Sequence, residues 1–535
     1  MSREMSRDTS GGMRPLEASF AAELRAVRPD LLPAFAESLP GARAAVLARL
    51  WRALLFEPGL AAAVPRGAAA GLRGPALQAH DAGVPKDGLS LYLGDREYTH
   101  PAALLADLRM PGSSGLLAEL DHSVASLALS RADAAARDGN SLVAYEQSVV
   151  DGHPYHPCCR SRPGFGVADQ LAYAPEHRQP VPLGLVAVRS ADCLLVGAWP
   201  DRLRDGDRVL LPAHPWQLRE VLPRLGFAAT GDTLPAAPLM SVRTLAPLDG
   251  GPHLKTSLSL RMTSAVRDIS GESVVNSAPL SALLERLCAE LGGALRITRN
   301  LAAAAALTSG APSRELAVLV RESPEELAGP GEQVAPLAAL AEHPPGLAAA
   351  DPVRWLGELA ALAWTPLLRL LARGVAMEAH GQNLLVVLDG RGRPLRLVYR
   401  DLADVRVSRE RLAAHGVRPS DLGGHVLDDD PAVLRRKLFG SLVGGTFSAL
   451  VSALGGGDRP QEQQLWAAVA AQARSAAQAE LGPEDRRALL RDPLPVKALT
   501  RMRLAGQPAT DQWTLLPNPL CPDSRPTPGA GIPLW

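Results

Sequence analysis

The densest chemistry in this 535-residue chain lies between Glu378 and Asp401. Glu378, His380, Gln382 and Asn383 precede one apolar run, Leu384–Leu388, and Arg400 and Asp401 follow a second, Leu395–Tyr399. Between the runs, Asp389, Gly390, Gly392 and Pro394 supply turn chemistry, so the stretch predicts a β-hairpin. An antiparallel hairpin sets the residue before its first strand beside the residue after its second, which brings His380 and Asn383 to Arg400 and Asp401. A carboxylate, an imidazole, an amide and a second carboxylate then converge. Asn and Asp oxygens beside a Glu are the hard ligands that Mg²⁺ takes, and Mg²⁺ commonly arrives with nucleotide phosphates. The other reading is a polar turn whose side chains satisfy their own backbone; four such groups at one end favour chemistry.

Two further clusters carry charge. The loop Gly152–Phe165 packs His153, His156, Cys158, Cys159, Arg160 and Arg162 between stiffening prolines at 154 and 157. Its spacing matches no common zinc pattern and lacks a second ligand pair. Two readings stay open for it: a rigid loop aiming His and Arg at an anionic substrate, and a turn with incidental cysteines. The second cluster is a strand pair. Met240–Leu245 alternates, placing Ser241 and Arg243 on one face, and His253–Thr263 alternates too, placing Lys255, Ser257, Ser259, Arg261 and Thr263 on one face. A hairpin of the two presents Arg243, Lys255 and hydroxyls together, with Arg267 just beyond. That is a polyanion cradle built without a glycine loop, or else a solvated sheet face.

The elements that must position these groups alternate in character. Helical periodicity runs through Leu16–Leu55, Ala102–Leu108 and Leu116–Asp138. Residues 180 to 265 read as β-rich, with His214 as a buried structural histidine. Helices return at Leu280–Leu291, from Val353 to Met377, at Pro431–Leu454 and at Gln461–Leu481. Near the C-terminus, Lys497, Arg501 and Arg503 fall within seven residues. The run Ala302–Ala306 reads as a compositional habit and Arg321–Glu326 as a boundary or an exposed loop. Residues 1 to about 15 read as a flexible leader, and 524 to 535 as a Pro/Gly-rich tail.

Composition excludes several classes. Lys plus Arg and Asp plus Glu are both 56, so net charge is zero, which argues against a nucleic-acid or acidic-membrane binder. Five irregularly spaced cysteines argue for a reducing compartment and against a disulfide framework. The polar N-terminus carries no secretory signal, and no run of about eighteen apolar residues exists to span a bilayer. The expectation is a cytoplasmic protein with no membrane or nucleic-acid partner. P-loop, GxSxG, HExxH and Rossmann fingerprints are absent.

Together these stretches resemble one family, the NRPS-independent siderophore synthetases of the IucA/IucC type. The resemblance rests on Gly152–Phe165, on His-Pro-Trp-Gln at 214–217, on Thr-Ser-x-x-Arg at 263–267, on His-Gly-Gln-Asn at 380–383 and on Arg-Asp at 400–401. These fall in family order over roughly Val143 to Leu504. One departure is Arg160, which occupies the usual lysine position; charge is kept, but a planar fork replaces a point charge. The resemblance implies an ATP- and Mg²⁺-dependent enzyme that condenses citrate, a citryl derivative or a related dicarboxylate or succinyl-hydroxamate with an amine or alcohol, through an acyl-adenylate. It implies phosphate contacts from Ser241, Arg243, Lys255, Thr263, Arg267 and His380, with Arg267, His380 and Lys255 as the catalytic set. Thr244, Ser264 and Gln382 join the nucleotide site, and Glu378, Asn383 and Asp401 take adenine-ribose or Mg²⁺ roles. His153, His156, Arg160, Arg162 and Lys497 would meet the acid. The implied architecture is mixed α+β, a three-part cupped hand: a helical thumb (1–142), β-rich fingers (143–335) and a mixed helical palm (336–535), working as a homodimer.

Without the resemblance, His380–Asn383 followed by a hairpin and Asp401 also reads as a kinase-type catalytic loop, hence a small-molecule phosphotransferase. That reading lacks a Gly-rich loop before a lysine strand and leaves 152–165 unexplained. A non-catalytic siderophore binder is the third class, and the Mg²⁺-type constellation argues against it.

Overall fold

A helical body comes first because apolar residues recur every three or four positions. In the helix Leu32–Phe56, Val46, Leu47, Leu50 and Leu54 share the inward face. It packs on Pro15–Val27 and Ser114–Ala132 around Leu24, Phe35, Leu120 and Leu127. The computed structural model describes residues 12–521 apart from 70, 84–88, 264, 419–420 and 507–510. The leader up to residue 11, Ser264 and the 524–535 tail lie outside the described residues.

The second body is a nine-stranded sheet. Its order is Cys193–Gly197, Asn300–Thr308, Ala311–Arg321, His253–Thr256, Thr244–Pro247, Thr233–Pro238, Val181–Arg189, Arg208–Ala213 and Arg204–Asp205. Three sequence expectations change here. Ala302–Ala306 is no compositional habit: it is the middle of an inner strand, paired on both sides. Its alternate alanines feed two cores, Ala302, Ala304 and Ala306 on one face and Ala303 and Ala305 on the other. Alanine is depleted in strands, so the run carries little β signal. Second, Arg321 does not lie in an exposed loop; it closes a strand and is 3% exposed.

Third, Met240–Arg243 is not strand. The chain must reverse there between Thr233–Pro238 and Thr244–Pro247, which pair antiparallel. Val242 takes a left-handed φ of 67° at this reversal, and Ser241 Oγ accepts from the Thr244 N–H at 3.1 Å. The expected strand His253–Thr263 also divides at Ser257. Its first part joins the large sheet, and Leu258–Met262 makes a separate hairpin with Ala265–Arg267. The scaffold engages the hydroxyls at 257 and 259: Ser257 donates to the Arg314 carbonyl at 2.7 Å, and Ser259 accepts from Gln217 Nε2 at 2.9 Å.

The third body is built on a four-stranded sheet: Leu295–Ile297, Pro394–Tyr399, Leu384–Leu388 and Gln333–Pro336. The predicted hairpin is present, with Leu384 opposite Tyr399. Helices Pro352–Ala372 and Arg459–Glu480 cover it, and Ser277–Ala289 and Leu295–Ile297 pack into the same core although they precede the last large-sheet strands. Pro431–Gly455 is long and apolar enough to cross a membrane, yet Leu438, Leu442, Val443 and Phe447 bury it in this core. The chain is mixed α+β, as read from sequence.

Candidate active site

The site forms where the large sheet meets the hairpin. Lys255 extends from the strand His253–Thr256, and its ammonium pairs with the Asp401 carboxylate just past the hairpin's second strand. Asp401 sits at φ 69°, a left-handed backbone that Asp tolerates better than most residues. Burial resists its ionisation, but Lys255 and Arg321 outweigh that and hold its carboxyl below the usual range. Burial pulls Lys255 down to about 8 against the pull of Asp401. Arg400 locks the joint: its backbone N–H donates to the Asn383 carbonyl at 3.0 Å, its Nε to the Gln382 carbonyl at 3.0 Å, and its guanidinium pairs with fully buried Glu146. Glu146 in turn accepts from the Met240 N–H at 2.9 Å, fixing the reversal that precedes Arg243.

Arg243 does not stand on a strand face, but it reaches the site. It donates to the carbonyls of Arg267 and Asp268 at 2.7 and 2.6 Å, holding the small hairpin in place. Arg267 donates to the Met262 carbonyl at 3.0 Å and to Thr263 Oγ1 at 2.6 Å. Ser241, Thr244 and Thr263 lie on these same turns. Ser264, adjoining them in sequence, lies outside the described residues.

A second carboxylate is held by two lysines. Glu378 faces Lys497 at 2.8 Å and Lys437 at 3.4 Å; burial opposes its charge, but the two ammonium groups keep it ionised and its pKa low. Glycines on the helix Pro431–Ser441 and just beyond make this possible. A Cβ at Gly440 would lie 2.4 Å from the Pro495 carbonyl and one at Gly444 2.5 Å from Val496, so only glycine lets the strand Leu494–Lys497 approach. Lys497 also meets Asp511 at 3.1 Å. Arg501 and Arg503 turn to the helical body: the helix Leu499–Leu504 presents its Thr500 and Arg501 N–H groups to Glu57, and Arg503 pairs with Glu119.

The Gly152–Phe165 loop contributes unevenly. His156 is fully buried, its Nδ1 accepting from the Cys158 N–H at 3.0 Å; burial and then Arg267 push its pKa to about 3, so it is a neutral neighbour of the cradle. His153 lies within electrostatic reach of His380, whose own pKa burial holds below the ordinary histidine value. Arg160 and Arg162 are not brought to the site as open cations. Both are buried around Glu176, at 3.5 Å and 2.9 Å, and Arg160 also donates to the Val149 and Val150 carbonyls at 2.5 and 2.7 Å. His214 is the expected buried histidine, capping a short helix through Trp216 N–H.

Sequence reasoning missed Lys437 and Arg321. Lys437 lies on an otherwise ordinary helix. Arg321 carried one signal: it ends an apolar run in the same strand parity as Leu319, which is opposite Lys255. Among the described residues, Arg243, Lys255, Arg267, Arg321, Arg400, Lys437 and Lys497 surround Glu146, Glu378, Asp401 and Asp404. Lys255, Arg400, Lys437 and Lys497 have carboxylate partners; Arg243, Arg267 and Arg321 have no side-chain ion pair among the described residues. An excess of fixed cation complements a multiply charged anion. Among the described residues no three His, Cys, Asp or Glu side chains converge to hold a metal ion. A Mg²⁺ carried by phosphate oxygens needs only one or two protein carboxylates, which Asp401 and Glu378 can supply beside Asn383.

Residues 141–342 match the family model described as the IucA / IucC family. Over these residues the chain is similar to the IucA / IucC family. Residues 353–511 match a second model, described as a ferric iron reductase FhuF-like transporter; that stretch contains no cysteine. The rhizobactin siderophore biosynthesis protein RhbC of Rhizobium meliloti (strain 1021) is 30% identical over 360 residues, which is 57% of this chain and 58% of that protein. Among solved structures, petrobactin biosynthesis protein AsbB from Bacillus anthracis superposes with a TM-score of 0.72 at 17% identity, over 95% of this chain and 98% of that one. ATP-bound aerobactin synthetase IucA from a hypervirulent pathotype of Klebsiella pneumoniae gives 0.65 at 20% identity, over 84% and 92%. At these identities the structural likeness is one of fold. Every IucA / IucC motif residue between 152 and 267 thus lies inside the matched region, and Glu378–Asp401 lies inside the second.

Proposed function

We propose that this protein is an ATP-dependent synthetase of siderophore biosynthesis, joining a carboxylic acid of the citrate class to an amine or alcohol. The observation that carries the reading is the set of three guanidiniums, Arg243, Arg267 and Arg321, that have no carboxylate ion pair among the described residues and surround the Lys255–Asp401 pair. A triphosphate matches that excess charge. The match to the IucA / IucC family model over 141–342 and the names of the relatives support the siderophore setting. Asp401, Glu378 and Asn383 would hold Mg²⁺; when bound, it supplies Lewis-acid neutralisation of phosphate charge.

The residues of the chain do the rest. Attack of the acid's carboxylate oxygen on the α-phosphorus forms an acyl-adenylate and releases pyrophosphate; attack of the amine or alcohol on the acyl carbon then releases AMP. Negative charge gathers on the phosphate oxygens in the first step, where Arg267, Arg243 and Lys255 are already fixed and pay no reorganisation cost. His380 and Lys497 border the same space from the hairpin and the C-terminal strand. The composition supports a cytoplasmic setting, and the family resemblance supports a homodimer.

Incubation with ATP, Mg²⁺, hydroxylamine and a panel of carboxylic acids tests the reading. Acid-dependent pyrophosphate and AMP are expected. ADP without pyrophosphate would transfer the protein to the phosphotransferases, and no nucleotide turnover with any acid would reject a synthetase of this acid class.

A further inference from the structure

We propose that Arg321 forms an anion subsite at the inner end of the cleft beside the Lys255–Asp401 pair, where its planar fork receives two oxygens of a bound phosphate or carboxylate. Three observations carry this. Arg321 is 3% exposed, and its Nε has no hydrogen-bond partner. Its nearest carboxylates, Asp401 and Glu146, are already paired with Lys255 and Arg400. It lines a cleft together with Lys255, Asp401, Asn276, Ser277 and Asn300, so its guanidinium borders open space rather than packed core.

The other buried arginines behave differently. Arg160 and Arg162 bracket Glu176, Arg400 pairs with Glu146, and Arg49 donates to the Pro154 and Asp151 carbonyls. Each is explained as structure. Arg321 has Asp401 and Glu146 as charged neighbours but, among the described residues, no carboxylate hydrogen-bonded to it, which leaves its Nε donor to an occupant of the cleft. Register explains its aim: Arg321 is directly opposite His253, two residues from Lys255 on the neighbouring strand, and strand parity puts all three on one face. Arg supplies parallel N–H donors that a lysine cannot. The subsite rests on the synthetase reading only for which anion arrives.

The test compares wild type, Arg321→Met and Arg321→Lys in binding to ATP, inorganic tripolyphosphate and citrate, and in melting without ligand. Arg321→Met is expected to melt at or above the wild-type temperature, because an unpaired buried charge is gone. Its affinity for the phosphate probes is expected to fall roughly 10- to 100-fold. Arg321→Lys should recover part of that loss, having charge without the fork. A loss confined to citrate assigns the anion to a carboxylate and supports the subsite equally. A methionine variant that binds all three probes like wild type overturns the proposal, and so does one that melts several degrees lower. If wild type binds tripolyphosphate but not ATP, the synthetase reading fails while the Arg321 comparison still decides the subsite. If it binds none of the three, both fail.

Discussion

Lys255 and Asp401, 146 residues apart in the chain, meet in an ion pair that joins the large sheet to the hairpin Leu384–Tyr399. The side chain of Lys255 is 6% exposed and that of Asp401 25%. Removing one partner leaves the other charge uncompensated.

A double-mutant cycle measures this. Lys255→Met and Asp401→Asn are each expected to lose about 2 kcal/mol of unfolding free energy, and the double variant to regain at least half of the summed loss. Asn suits position 401 because it tolerates the left-handed backbone there. Strict additivity in chemical denaturation would show that the pair does not couple the two bodies.

Lys255 also sets a pH limit. Its pKa is lowered from 10.5 to about 8, chiefly by burial. Between those values the folded protein has released a proton that the unfolded chain still holds, so this group's contribution to stability rises with pH there. Anion binding moves the other way, because the neutral amine cannot meet phosphate. ATP affinity should fall above about pH 8, and calorimetric titrations on Lys255→Arg should show no such alkaline fall.

Glu176 is fully buried and bears two guanidiniums and the Ser130 hydroxyl, the last at 2.6 Å. Glu176→Gln is expected to destabilise by about 3 to 5 kcal/mol. Burial raises the Glu176 pKa, but Arg160 and Arg162 more than reverse that and hold it well below 4.5. Its contribution is therefore complete above pH 4.5 and lost as pH falls below it. Acid denaturation of the glutamine variant should lack that component.

Arg267→Ala is expected to abolish acid-dependent pyrophosphate release while shifting the melting temperature by no more than about 2 °C, the scale of a half-buried surface change. Arg267 lies on a two-stranded hairpin outside the main cores. Retained turnover would remove it from the phosphate site.

Cys158 is buried in the helical body and Cys159 accepts from Arg49 at 3.3 Å. The double serine variant is expected to keep its activity and to lose about 1 kcal/mol from the polar atom placed in the core. Elemental analysis of wild type should find no stoichiometric zinc; finding it would make the pair ligands.

Much of this site was legible because it is local. The hairpin announced itself by two apolar runs around a Gly/Pro turn, and pairing geometry then placed Asn383 beside Arg400. Gly152–Phe165 and Thr263–Arg267 were legible as motifs. Ser241 and Arg243 were found for the wrong reason, since alternation in a six-residue window cannot separate a strand from the reversal that Val242 makes. Arg160 and Arg162 read as open cations because the sequence hides Glu176, the carboxylate between them. Arg321 and Lys437 were invisible for a related reason: what marks them is the side chain opposite, brought there by long-range packing.

The segment that carries Lys497 is anchored to the helical body, through Glu57 at the start of the helix Leu499–Leu504 and Glu119 at Arg503. Glu378 therefore acquires its second lysine only after residues made more than a hundred positions later have docked against residues made more than three hundred positions earlier. During synthesis, Lys255 and Asp401 are both in the chain before Lys497 is made, so the wall of the site formed by Lys497 comes last. A chain that ends between residues 401 and 497 holds both Lys255 and Asp401 but lacks the lysine that faces Glu378 from the far side.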